Sequence, residues 1–455
     1  MLSLSQLRLK HPRLTYHSVD LEWHSKTLKL TFSYLLHPDI PFQTTLELPL
    51  PENLQLNDQE KMLVREWAFQ IGMVELLSYW KVACPQVIEV TAGNLTKGQL
   101  LFWDQLLKKG LSEFFFVNNI NAWEDGFVEY VVREPENAIE LDSQTHLAEI
   151  LLPLGGGKDS IVSLELLKSQ EIPVTGVVLN PSDRMQQVVE LSGLETTLTL
   201  TRKLDPRLLE LNKQGYLNGH TPFSAMLAFT TTLLAYLQNK RWVVVSNEWS
   251  ANEGNTLFLG QSINHQYSKS VEFETLFRQY LKENLSGTVE YFSFLRPLHE
   301  LQIAKLFAKS EKFFPVFLSC NRGQREGRWC GECPKCLFVF LMLSAFLPIP
   351  EVTTIFNKNL FEDIHLKPIF DELTGMVEVK SLECVGTRDE SLAALQLILK
   401  KTDKPLPVLL EYAEKEVLRK ANLSQAQPEK LLADWQDQNY IPPEFAALLQ
   451  DAIRK

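Results

Sequence analysis

Residues 148–160 of this 455-residue chain, Ala-Glu-Ile-Leu-Leu-Pro-Leu-Gly-Gly-Gly-Lys-Asp-Ser, hold the parts of a phosphate site. An apolar run that reads as a buried strand meets Gly155, Gly156 and Gly157, and Ile161, Leu164, Leu166 and Leu167 follow at helical spacing. Strand, glycine turn and helix start aim backbone N–H groups and the positive end of a helix at phosphate oxygens. The Walker spacing Gly-x-x-x-x-Gly-Lys-[Ser/Thr] does not occur here. The dinucleotide fingerprint Gly-x-Gly-x-x-Gly fits Gly155 and Gly157, but Ser160 stands where its third glycine belongs.

A second group suits a metal. Cys330-Gly-Glu-Cys333-Pro-Lys-Cys336 makes two consecutive Cys-x-x-Cys steps, and Cys320 lies ten positions earlier. Four soft ligands at this spacing suit tetrahedral zinc, with an iron–sulfur cluster as the second choice and reduced structural thiols or a redox pair as the plainer reading. No catalytic fifth ligand accompanies them, so a zinc here is expected to be structural. Cys84 and Cys384 read as unpaired.

Three further segments crowd polar side chains together. Asn218-Gly-His-Thr-Pro-Phe-Ser224 precedes an apolar helix that Thr221 is expected to cap, with Pro222 in its first turn and His220 at its mouth. Ser246-Asn-Glu-Trp-Ser-Ala-Asn-Glu-Gly-Asn255 follows a strand, where a doubly wound sheet places its ligands. In Asn264-His-Gln-Tyr-Ser-Lys-Ser-Val-Glu272, Lys269 can meet a phosphate or carboxylate and His265 can transfer a proton near neutral pH. Arg296-Pro-Leu-His-Glu-Leu-Gln reads as a strand end entering a helix. Thr387-x-x-Glu390 is a capping box, and Gly386 before it leaves room for a backbone N–H to approach a ligand.

These residues need a scaffold, and the pattern supplies one. From residue 148 short apolar runs alternate with helical segments: strands are expected at 148–154, 174–179, 196–201 and 242–246, and helices at 185–192, 206–213 and 223–238. That alternation predicts an α/β fold with a parallel sheet carrying its ligands at the strands' carboxyl ends. Residues 1–140 read as an α+β module: strands at 28–34 and 44–50 alternate as in a β-meander, and helical periodicity covers 64–80 and 96–109, the latter capped by Thr96. Arg133–Gln144 is the expected linker, 146–350 the catalytic domain with the cysteine cluster, and 351–455 a mostly helical region packed on it.

Composition bounds the partners. Asp and Glu outnumber Lys and Arg, 56 to 45, which argues against a broad nucleic-acid surface. The longest apolar run, Leu337–Leu347, is too short for a bilayer and reads as a core helix. Met1–Leu14 lacks the apolar stretch of a signal peptide, so a cytoplasmic location without membrane contact is expected.

Gly156, Gly157, Asp159 and Ser160 resemble the PP-loop Ser-Gly-Gly-x-Asp-Ser of the N-type ATP pyrophosphatases, with Gly155 in place of the first serine. Those enzymes cleave ATP between its α and β phosphates and transfer AMP. The glycine loop, Asn218–Ser224, Ser246-Asn-Glu248 with Ala251-Asn-Glu253, Asn264–Ser270, the cysteine cluster and Glu383-Cys-Val-Gly-Thr387 follow in that order. The series resembles the UDP-N-acetyl-α-D-muramoyl-L-alanyl-L-glutamate epimerases of bacterial peptidoglycan synthesis, over nearly the whole chain. Gln302 stands where PP-loop enzymes carry a lysine. The resemblance implies ATP and Mg²⁺ as cofactors and a UDP-MurNAc-dipeptide as the small-molecule substrate. It implies that Gly155, Gly156, Gly157 and Ser160 grip the diphosphate, that Lys158 adds positive charge, and that Asp159 holds Mg²⁺. His265, Glu253 and Lys269 become the candidates for proton transfer, and His220 and Arg296, with Asn247, Glu248, Asn252 and Asn264, those for substrate recognition. A PP-loop with four cysteines also resembles the 7-cyano-7-deazaguanine synthases and tRNA-thiolating enzymes, the alternative reading; the acidic balance counts against tRNA.

Overall fold

The computed structural model describes residues 3–135 and 146–454; most of the expected linker at 133–144 lies outside them. The amino-terminal alternation folds as expected into an antiparallel meander of β1 (Arg13–Trp23), β2 (Thr27–Leu36) and β3 (Ile40–Pro49). β4 (Val87–Asn94) and β5 (Glu129–Arg133) extend it on the β1 side by parallel pairing. β6 (Leu147–Pro153), β7 (Val174–Leu179), β8 (Thr196–Lys203) and β9 (Lys240–Val245) match the expected runs, β10 (Thr256–Phe258) and β11 (Gln261–Ile263) form a small hairpin, and β12 (Glu290–Ser293) closes the series.

The expected parallel sheet is only half of what forms. β6 to β9 and β12 pair in parallel, but β8 also pairs antiparallel with β3 through Leu46 and Arg202. One mixed sheet results, in the order β12-β9-β6-β7-β8-β3-β2-β1-β4-β5. No local alternation announces that join, because a sheet edge is satisfied by any strand with free N–H and C=O groups.

Burial follows the two-residue period of the strands. On β6, Leu151 enters the core shared with the amino-terminal module, whereas Ile150 and Leu152 enter a second core beneath the carboxyl-terminal helices. On β9, Val243 and Val245 face the first core, and Trp242 and Val244 the second. The first core is built around the helix Asp58–Trp80, capped by an Asn57–Glu60 box and buried along nearly all of its length from Leu63 onward. Thr96 caps the helix Lys97–Gly110 as predicted, and the apolar run near 337–347 is the buried helix Pro334–Ser344. Among the described residues no helix is long and apolar enough to cross a membrane. The described residues beyond 350 are mostly helical, joined by turns and loops.

Gly72 shows how tightly the first core is set. A Cβ there would lie 1.9 Å from Tyr16 Oη and 2.3 Å from its Cζ, and Tyr16 is fully buried and stacked on Phe69. Alanine gains about 1 kcal/mol of helix propensity over glycine, while overpacking a rigid core costs about 1–3 kcal/mol. Gly72→Ala is therefore expected to lower stability by up to about 2 kcal/mol in denaturant unfolding; a more stable variant would mean that Tyr16 yields.

Candidate active site

Sheet order reverses at β6: the chain runs outward through β7 and β8, then returns to the other side of β6 with β9 and β12. Such a switch point opens a crevice at the strands' carboxyl ends. A cavity of about 580 Å³ lies there, lined by Gly155, Gly157, Asp159 and Ser160 after β6 and by Ser246 and Asn247 after β9. His220, His265 and Lys269 complete the set of predicted residues on its wall.

The glycine turn is shaped for a close approach. Gly156 has φ +77°, a conformation that side chains disfavour, and its carbonyl accepts from Leu318 N at 2.9 Å. A Cβ on Gly157 would fall 2.7 Å from Ser319 Oγ, whereas one on Gly155 would meet nothing within 4 Å. Gly157 is the N-cap of the helix Lys158–Leu167, and no side chain caps that end. Its first-turn N–H groups are thus left for an anion. Ser160 Oγ donates to Gly157 O at 3.0 Å, so its hydroxyl serves the turn itself.

Lys158 departs from expectation. It is fully buried and does not face the cavity; its Nζ donates to Asp159 and Glu300. Burial alone would discharge the ammonium, but the two carboxylates outweigh it and push its pKa up. The Asp159 carboxylate accepts from this lysine, and its side chain, a quarter exposed, also lines the cavity.

Around His265 the structure gathers an acid–base cluster from three distant parts of the chain. His265 Nδ1 pairs with Glu113, on the short helix Ser112–Val117 of the amino-terminal module, and the ring lies 4.3 Å from that of His220. Burial disfavours the imidazolium, but Cys384 and Glu113 prevail and raise His265 to about 10. His220, desolvated and beside that cation, is pushed down to about 3 and is neutral. Lys269 Nζ donates to Cys384 Sγ at 3.5 Å. Burial raises the Cys384 thiol, yet Lys269 and His265 outweigh it and bring it down to about 6.

Sequence reasoning missed Glu113, which carries no motif, and read Cys384 as merely unpaired. The Glu383–Thr387 segment held the signal for the latter.

Other predicted residues serve the frame. Arg296, expected at the substrate, is fully buried: its guanidinium donates to Glu274 at 3.0 Å, to Glu248 O at 2.6 Å and to Lys269 O. Glu253 stands outside the cavity wall and pairs with Lys380 at 3.0 Å. Asn252 accepts from Val271 N at 2.7 Å, and Asn264 donates to Ala251 O at 2.9 Å, both bracing loops. Glu248 is buried beside Lys269 and off the cavity wall. Thr221 does not cap its helix; its Oγ1 accepts from Lys81 Nζ at 2.7 Å, and Pro222 holds the N-cap position.

The four cysteines converge behind the phosphate turn, with Sγ separations of 3.9 Å (Cys320–Cys333), 3.6 Å (Cys330–Cys336) and 3.5 Å (Cys333–Cys336). Thiolates about 2.3 Å from one tetrahedral metal lie about 3.8 Å apart, so the group fits a single ion. The same loop places Ser319, Asn321 and Gln324 on the cavity wall. Lys335 donates to Cys384 O, tying the cysteine helix to the acid–base cluster.

Comparison with known proteins matches the chain to the MurL N-terminal domain at residues 8–294 and to the MurL C-terminal domain at 316–428. A protein of Micromonospora sp. named UDP-N-acetyl-alpha-D-muramoyl-L-alanyl-L-glutamate epimerase is 36% identical over 389 residues, covering 84% of this chain and 85% of that protein. Proteins of the same name from Xanthomonas oryzae pv. oryzae and Salinispora tropica are 30% identical over 442 residues (95% and 96% covered) and 35% over 372 residues (78% of each).

Because Lys158 neutralises two carboxylates in a dry setting, Lys158→Met is expected to cost about 3–5 kcal/mol in urea unfolding. Adding Glu300→Gln should return part of that loss by removing one of the two stranded charges. A single variant as stable as the parent would show that the ion trio does not hold the turn.

Proposed function

The chain belongs to the UDP-N-acetyl-α-D-muramoyl-L-alanyl-L-glutamate epimerase family, and on that premise we propose that it inverts the terminal L-glutamate of UDP-MurNAc-L-Ala-L-Glu by way of an acyl-adenylate. One observation carries the mechanism: an uncapped glycine turn and an acid–base cluster face one cavity at the sheet's switch point. The turn resembles a PP-loop, and its N–H groups suit the diphosphate of ATP. A carboxylate resists loss of the proton beside it, because a second negative charge would form next to the first. Transfer of AMP to the carboxylate removes that charge and acidifies the Cα–H. A base then takes the proton, reprotonation on the opposite face inverts the centre, and water releases AMP.

In this reading Gly155, Gly156 and Gly157 bind phosphate through the backbone, and the exposed side of Asp159 is the carboxylate in place for Mg²⁺, which when bound offsets charge on the diphosphate. His265 and Lys269 hold the charge of the proton-transfer cluster, and His220 and Asn247 contact the substrate. Ser160 keeps the turn in shape. The cysteine group holds a structural Zn²⁺; the short sulfur separations favour one ion over an iron–sulfur cluster, whose cysteines ligate different irons. The division into an amino-terminal module, a catalytic domain at 146–350 and a helical region at 351–455 belongs to the same proposal, as does a cytoplasmic setting.

Incubation with ATP, Mg²⁺ and UDP-MurNAc-L-Ala-L-Glu in D₂O is expected to yield AMP together with deuterium at the glutamate α-carbon. AMP without deuterium would sink the epimerase reading. Asp159→Ala should lower AMP formation at least about 10²-fold with an unchanged circular-dichroism spectrum. Elemental analysis should find one zinc per chain, and Cys333→Ser should lose the metal and melt at a lower temperature; a metal-free parent of full stability would refute the zinc.

A further inference from the structure

Two cysteines lie outside the metal group, and their surroundings differ in kind. Cys84 is wholly buried, and burial drives its thiol up despite Arg8 nearby, as for a packing residue. Cys384 is half-buried on the wall of the cavity, its sulfur 3.5 Å from Lys269 Nζ, and His265 lies on the same wall with its charge acting on the thiol. Its backbone carbonyl is held by Lys335, and His265 is held in turn by Glu113. A cysteine needed only for packing has no use for an ammonium and an imidazolium at its sulfur. Two cations around one thiol on a cavity wall make a thiolate that is ionised at neutral pH and free to act on a bound molecule.

We propose that the Cys384 thiolate is the base that takes the α-proton from the activated glutamyl residue, an assignment that rests on the epimerase reading above. The Cα–H bond breaks, its proton joins Sγ, and the electron pair passes into the adjoining acyl group as an enolate. Lys269, already beside the sulfur, stays close to the negative charge as it moves from thiolate to enolate. A water molecule on the opposite face returns a proton to the carbon, and the thiol later gives its own proton back to solvent, so protons balance over the cycle. His265 then acts as a positioning residue, a cation that keeps the thiol ionised. Of the predicted proton-transfer set, His265 and Lys269 thus support a base that neither supplies, while Glu253 stands off the cavity wall.

The test separates activation from proton transfer. Substrate-dependent exchange of labelled diphosphate into ATP reports adenylation; deuterium wash-in at the glutamate α-carbon reports proton abstraction. Cys384→Ala and the near-isosteric Cys384→Ser should keep exchange within about fivefold of the parent while wash-in falls at least about 10³-fold. Wash-in that stays within tenfold overturns the proposal; so does equal loss of both reactions in a folded Cys384→Ser, which would put the residue in activation. Iodoacetamide on the parent chain provides a check that needs no variant: Cys384 should be alkylated, and UDP-MurNAc-L-Ala-L-Glu with ATP should protect it. Absence of protection also overturns the proposal. Should the parent wash in deuterium without any exchange, the adenylation reading fails, and the loss of wash-in in the variants still decides the role of Cys384.

Discussion

A buried ammonium has to be paired, and Lys158 meets that requirement in a way that organises the site. Its two carboxylate partners come from the phosphate-turn helix itself, at Asp159, and from the helix Glu300–Phe307, at Glu300. The chain of contacts runs on from there. Glu300 N donates to Glu390 Oε1 at 2.7 Å, and the same carboxylate accepts from Ser250 Oγ at 2.6 Å and lies 3.4 Å from His299. His299 reaches Asp434 at 2.8 Å. One connected set of polar groups, most of them buried, therefore fastens the glycine turn, the loop after β9, the helix after β12 and two carboxyl-terminal segments. Breaking such a network at one member strands the rest, which makes relative displacement of its parts costly. The proposed role of the turn calls for that rigidity, since backbone N–H groups bind phosphate well only when already aimed.

The mixed sheet supplies the second constraint. Because β8 pairs with β3, the amino-terminal module is fastened alongside the catalytic half through backbone hydrogen bonds. Glu113 reaches His265 as a consequence, and its carboxylate sits 3.9 Å from His220 as well. On the far side the cysteine helix delivers Lys335 to the backbone of Cys384. Regions that look independent along the chain each contribute a wall or a charge to one cavity. The four cysteines stand off the cavity wall, yet the loop that follows Leu318 carries both Cys320 and the wall residues Ser319 and Asn321.

What could be read beforehand follows the range over which each signal acts. The glycine turn, the Thr96 and Thr387 caps and the strand and helix runs are local, encoded within about a dozen residues, and the structure contains them. The cysteine spacing is nearly local too. Orientation is a different matter: Lys158 adjoins the phosphate turn, but its side chain turns inward because Glu300, 142 positions on, offers a partner that solvent does not outbid. Arg296 is taken up in the same way by Glu274 and two carbonyls. Glu113 lay beyond reach, since an acidic residue on a short helix gains its meaning only from a histidine 152 positions later. Cys384 sat within a recognised motif, and only the cations gathered at its sulfur distinguish it from a neutral thiol.

Those cations also connect the site to pH. His265 has its folded pKa raised from 6.5 to about 10, so its stabilising contribution is full below about 6.5 and is lost as pH rises through 10. Cys384 has its pKa lowered from 9 to about 6, so its contribution is full above 9 and is lost as pH falls through 6. Both groups are ionised only between these limits, and each depends on the other for its shift. The thiolate and imidazolium are thus a property of the folded cavity, held charged by one another and by Glu113 and Lys269. A pair made in this way is in the correct protonation state before any substrate arrives. The chain spends part of its folding free energy on that arrangement, which leaves the charges preorganised rather than formed during the reaction.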